Sequence, residues 1–211
     1  STATQAGAIA KQDMLDVFGK TSLKPGQYLW RDDAGSGDPR VVIGLGDQSV
    51  FDEGASWTFA RLPWPAFWQV MWNFEGNMVL YYLLLRGWLT FGDSEVGIRS
   101  LSVLVGIATL APVYLLGARL FSRRAGVLAA AFLAVHAFHI QFSQEARSYA
   151  LATLLLALST WLFVIAVQSQ KRSPLVIVGY VLTGALACYS HLLSVLVLMA
   201  QWLWLLTAYG W

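Results

Sequence analysis

Charge is what this sequence has least of. Only 12% of its 211 residues are charged, against roughly a quarter in an ordinary soluble domain. What charge there is sits at the front, where residues 1–53 hold eight of the twelve acidic residues and five of the fourteen basic ones. Cysteine is nearly absent. Cys188 stands alone inside an apolar run, so no intrachain disulfide can form and the redox compartment cannot be read. The net charge of +2 and the lack of any Lys/Arg cluster interleaved with aromatics give nucleic acid no footprint. The first residues, from Ser1, show no basic segment followed by an apolar one; removal of a signal and removal of an initiator Met both fit that start.

Apolar residues fill the space. They make up 57% of the chain, and the mean hydropathy is +0.56. Four uncharged runs, Ser100–Ala118, Ala125–Gln144, Ser148–Gln170 and Ser173–Trp211, are each long enough to cross a hydrocarbon core of about 30 Å at about 1.5 Å per residue. The last is long enough for two passes. Backbone polar groups have no water to bond to in lipid, so these spans should be helical. The expected fold is therefore an all-α integral membrane protein with about five transmembrane helices, near Ile98–Leu120, Gly126–Phe142, Tyr149–Val167, Leu175–Tyr189 and Leu192–Ala208. Trp88, Trp202, Trp204 and Trp211 fall near span ends, where indoles anchor to the interface.

Three regions follow. Residues 1–50 form a small polar N-terminal segment, with a short amphipathic turn at Gln12–Phe18, a turn at Lys24–Gln27, a loop at Asp32–Pro39 and a strand candidate at Val41–Ile43 before Gly44. Residues 51–97 hold an acidic loop and interfacial helices. Trp57, Phe59, Leu62, Trp64, Phe67, Trp68, Met71 and Trp72 recur at helical spacing, interrupted by Pro63 and Pro65, and Met78–Phe91 is a short apolar stretch with Arg86 in its middle. Residues 98–211 are the bundle.

Arg119, Arg123, Arg124, Lys171 and Arg172 fall on one set of loops, and Arg147, Arg86 and Arg99 on the other. By the positive-inside rule the first set is cytoplasmic, so the N-terminal segment is extracytoplasmic and the C-terminus cytoplasmic. Four polar features then share the outer face: Asp52-Glu53, Gln144–Arg147, His191 and the cluster Asp93, Glu95, Arg99. Ionisable groups at a membrane boundary are costly unless paired or wet, which makes them candidates. Pattern alone leaves other readings open. Asp52-Glu53 also fits a solvated acidic pair, Glu145 and Arg147 also fit the flank of a helix start, and His191 also fits a satisfied polar residue. His136 and His139 stand three apart on one face with no Cys or acidic partner nearby, and read as packing or interfacial residues rather than metal ligands.

The stretch Ser49-Val-Phe-Asp-Glu-Gly-Ala-Ser-Trp57 resembles the first outer loop of the GT-C glycosyltransferases of the protein-mannosyltransferase-like group, which use a lipid-linked sugar. The resemblance continues through Asn77–Trp88, Phe91–Glu95 and Tyr114–Gly126, is strongest over His139–Leu151, and ends with Tyr189–Leu193. It implies that the chain transfers a sugar from a polyprenyl-phosphate carrier to an acceptor hydroxyl on the outer face of a bacterial inner membrane, with no cofactor beyond that donor and no metal-ligating residue assigned. It implies Asp52 as general base, Glu53 as the residue orienting the acceptor, Arg147 as the partner of the donor phosphate, Glu145 as its support and His191 as a contact to carrier or sugar. Residues 20–51 weakly resemble the leading segment of bacterial L,D-transpeptidases, without that enzyme's cysteine region. The chain reads as the front half of a transferase. A second reading is an inactive accessory subunit with other membrane proteins as partners. A transporter finds no inverted repeat or mid-depth charge.

Overall fold

A computed structural model describes residues 28–31, 40–43, 48–73, 76–92, 94–169 and 173–210. The chain forms two compact units, residues 1–54 and 55–211. In the first, β1 (Tyr28–Arg31) pairs antiparallel with β2 (Arg40–Ile43), placing Tyr28 opposite Ile43 and Arg31 opposite Arg40. The β-branched run Val41–Ile43 suits the pleated strand, and this hairpin departs from an all-α chain. The expected features at Gln12–Phe18, Lys24–Gln27, Asp32–Pro39 and Gly44 lie outside the described residues.

Helix α1 (Gln48–Arg61) runs out of the first unit into the second. It carries Asp52 and Glu53, so the acidic pair expected in a loop is helical. No proline interrupts the run until Pro63, and the residue before a proline is pushed out of the helical region. After the break, α2 (Trp64–Asn73) restarts with Pro65 in its first turn, where no N–H is missed. Then α3 (Val79–Trp88) is closed by a 3₁₀ turn, Leu89–Phe91.

The remaining helices are α4 (Glu95–Leu120), α5 (Arg123–Ala134), α6 (Ala137–Gln144), α7 (Tyr149–Gln168), α8 (Pro174–Ser190) and α9 (Ser194–Tyr209). Ser94 and Ser122 cap α4 and α5 by accepting from Gly97 N–H and Ala125 N–H. Helices α4 and α7 run parallel: Ser102 reaches the Arg147 carbonyl near their starts, and Arg119 bonds Gln168 near their ends. The α5–α6 segment crosses back between them, and α8 and α9 alternate beyond α7.

Among the described residues, α4 and α7 are long and apolar enough to cross a membrane, as is the α5–α6 pair if taken as one span. The expected Gly126–Phe142 span is thus broken, with a bend of 58° at Val135-His136. The bend follows from what α6 touches. His139 bonds the Gly106 carbonyl oxygen at 3.2 Å, and Ser143 occupies the space a Gly106 side chain would need. Helix α5 makes a similar approach, since a Cβ on Gly117 would lie 2.9 Å from Cα of Gly126. Helices α8 and α9, of 17 and 16 residues, are apolar but shorter.

The core sits at one end of the bundle. Phe59, Phe67, Met71, Tyr81, Tyr82 and Leu85 pack against the starts of α4 (Leu101) and α7 (Leu151, Leu155) and the end of α8 (Ala187). Helix α3 supplies three of these buried side chains. Arg86 on it donates to the carbonyls of Leu62 (2.5 Å) and Ala60 (3.3 Å), where α1 ends, and stacks over Trp64 at 4.1 Å. Away from this end the large side chains of α8 and α9 point outward, including Val181, Leu182 and Leu203. A surface this apolar is suited to lipid.

Candidate functional site

The core end also holds the polar residues. Helix α6 stops at Gln144, and Ser143 Oγ donates to the His139 carbonyl at 2.6 Å, a side-chain bond that competes with the helix ladder. Arg147 N–H then donates to Glu145 O at 2.8 Å across the fully buried Ala146. This three-residue turn reverses the chain without room for a slack loop.

Two neighbouring helices hold the turn by its carbonyls. Ser102 Oγ donates to Arg147 O at 3.4 Å and lies 2.9 Å from Tyr81 OH. A carbonyl can only accept, so the serine proton goes to Arg147 O and the tyrosine donates to the serine. From the other side Ser190 Oγ donates to Ser148 O at 3.4 Å. Tyr81, Ser102, Ser148 and Ser190 are all buried.

The Arg147 guanidinium lies over the Tyr149 ring at 5.4 Å and reaches Met78 Sδ at 3.9 Å. The face of the same tyrosine region meets His191, ring centroids 5.7 Å apart. Burial pushes the His191 imidazole below its usual range, and the positive charge of Arg147 pushes it further the same way. At neutral pH it is therefore an uncharged donor and acceptor beside a fixed cation. Its turn is tied down by Asn77, whose Oδ1 accepts the Leu192 N–H at 2.6 Å. The result is a half-buried cationic site at the mouth of an apolar bundle, a chemistry suited to an anionic group on an amphiphile.

Of the expected site residues, Arg147 and His191 are brought together. Glu145 lies on the same turn, and its carboxylate accepts from Gln141 Nε2 at 3.4 Å. Its link to Arg147 runs through its backbone oxygen. Asp52 and Glu53 lie on α1, and their side chains are outside the described residues, as are Asp93 and the Glu95 side chain. His139 is engaged by Gly106, and His136 lies exposed against Phe138. Tyr149, Asn77 and the Tyr81–Ser102 pair were not singled out as site residues from the sequence. Only the position of Tyr149, two residues past Arg147, could have suggested it.

An apolar helical bundle with helices of membrane-spanning length and a polar site at one end defines an integral membrane protein. The family model described as dolichyl-phosphate-mannose-protein mannosyltransferase matches residues 77–211, and the chain belongs to that family of GT-C type membrane glycosyltransferases. No curated protein and no solved structure matches it significantly.

Proposed function

We propose that this protein transfers a sugar from a polyprenyl-phosphate carrier to an acceptor hydroxyl at the outer face of a bacterial cytoplasmic membrane. The observation that carries the reading is the meeting of Arg147, Tyr149 and His191 at one end of the bundle, with the arginines of residues 119–124 at the other. In this reading five passes cross the membrane: α4, the bent α5–α6 pair, α7, α8 and α9. The N-terminal segment lies outside and the C-terminus inside.

The acceptor oxygen attacks the anomeric carbon as the carbon–oxygen bond to the phosphate breaks. Polyprenyl phosphate departs with its charge matched by Arg147, and Asp52 takes the hydroxyl proton. Glu53 orients the acceptor. His191 donates to the carrier phosphate or to the sugar. Glu145 supports the turn that aims Arg147. The donor is a substrate, and the reading calls for no further cofactor.

The test is sugar transfer by the purified chain in proteoliposomes, using a panel of labelled polyprenyl-phosphate hexoses. Transfer that falls at least a hundredfold in both Asp52→Asn and Arg147→Gln is the expected result. No transfer from any donor, with the chain recovered as a fixed component of a larger assembly, would instead make it an accessory subunit.

A further inference from the structure

The opposite end of the bundle poses a separate electrostatic problem. Arg119, Arg123 and Arg124 cluster where α4 hands over to α5. Arg119 Nε donates to Gln168 Oε1 at 2.8 Å. Arg123 and Arg124 are exposed, and no described residue forms an ion pair with either. They open α5, whose first turn has no acidic residue, at the end of a helix where a cation is least welcome. Within residues 96–211 the sole carboxylate side chain is Glu145, at the other end of the bundle. Among the described residues nothing neutralises the pair.

Beside them the surface forms a shallow, wide-open hollow of about 440 Å³, lined by apolar atoms of Arg123, Arg124, Val127 and Leu128. Val127 and Leu128 are 57% and 58% exposed, and each follows one of the arginines by four residues. Positions i and i+4 stack along one face of a helix. Each arginine therefore stands one turn before an exposed aliphatic residue on the same helix face. A small soluble anion would satisfy the arginines and leave the aliphatic pair in water. A molecule with an anionic head and a hydrocarbon tail satisfies both.

We infer that Arg123 and Arg124 hold the phosphate of an anionic membrane phospholipid whose acyl chain lies over Val127 and Leu128. Guanidinium donors match phosphate oxygens, and such clusters at the ends of spans attract anionic lipid. The site is separate from the Arg147 end and does not depend on the transferase reading.

The experiment is native mass spectrometry of the full chain in detergent, titrated with phosphatidylglycerol or phosphatidylcholine. The wild type should retain phosphatidylglycerol about tenfold more strongly. R123Q/R124Q should retain the two lipids equally while its melting temperature stays unchanged. L128Q should weaken phosphatidylglycerol retention with the arginines intact. Equal retention of both lipids by the wild type, unchanged retention by R123Q/R124Q, or binding of inorganic phosphate as strong as that of the lipid would overturn the assignment.

Discussion

The side-chain oxygen of Asn77 accepts the backbone N–H of Leu192 at 2.6 Å, joining residues 115 positions apart. That bond ties the turn carrying His191 to the chain entering α3. Asn77→Ala removes the acceptor and leaves the Leu192 N–H unmatched, a loss of about 1–3 kcal/mol where such a group is buried and less here, at an exposed bond. The expected outcome is a fall of a few degrees in melting temperature and a several-fold weaker hold on polyprenyl phosphate. A variant indistinguishable from wild type in both would show that the turn is fixed by other contacts.

His191 gives a pH dependence with a definite sign. Its imidazole is depressed in the folded protein by burial and by Arg147, while the unfolded chain titrates near the ordinary value of about 6.5. As pH falls through that value the unfolded state takes up a proton that the folded state resists. Stability is thus lost on acidification below about pH 6.5 and is unaffected above it. Thermal unfolding in detergent from pH 8 to pH 5 should show this loss, reduced in His191→Asn. An anionic phosphate beside the ring reverses the balance, so polyprenyl phosphate should bind with proton uptake and more tightly as pH falls.

Helices α7, α8 and α9 share a polar chain inside apolar surroundings. Tyr180 OH donates to Gln201 Oε1 at 3.0 Å, and Gln201 Nε2 donates to Thr160 Oγ1 at 3.0 Å. Interhelical bonds of this kind average about 0.6 kcal/mol and reach about 1.7 kcal/mol in membrane proteins. Gln201→Leu should therefore lower the melting temperature modestly. Its clearer signature is faster proteolysis and hydrogen exchange in α9, which rests on few other contacts. A loss confined to α4 would contradict that placement.

Gly106 and Ser143 set how closely α4 and α6 approach. A methyl on Gly106 would collide with Ser143 Oγ, and overpacking of this sort costs about 1–3 kcal/mol. Gly106→Ala should destabilise the protein and weaken donor binding, because α6 leads directly into the turn bearing Arg147. Adding Ser143→Gly should restore most of both. A double variant no better than the single one would place the damage elsewhere.

Hydropathy made the helices legible, and the prolines made their breaks legible. Pro63 and Pro65 mark where α1 gives way to α2, and the arginines at 119–124 and 147 fall at opposite ends of the bundle as their spacing implied. Path was harder to read than length. Nothing in the uncharged run Ala125–Gln144 announces a 58° bend, because its cause lies on another helix, in the bare backbone at Gly106. Arg86 in a short apolar stretch suggested an interfacial helix. Its charge is met by the carbonyls that end α1, which lets one face of α3 be buried. The loop charges placed Arg147 and His191 on one face, and the resemblance gave them a shared role. Their shared partner Tyr149, and the Tyr81–Ser102 support, required contacts between distant parts of the chain.

The central claim is that Arg147 binds the phosphate of a lipid carrier. The most direct measurement is the affinity of the purified chain for polyprenyl phosphate, compared between wild type, Arg147→Lys and Arg147→Gln, with melting temperature as the control for folding. Binding should weaken at least tenfold in Arg147→Lys, which keeps the charge and loses the fork of donors, and further in Arg147→Gln. Equal affinity in all three folded proteins would contradict the claim and move the carrier's phosphate away from this end of the bundle.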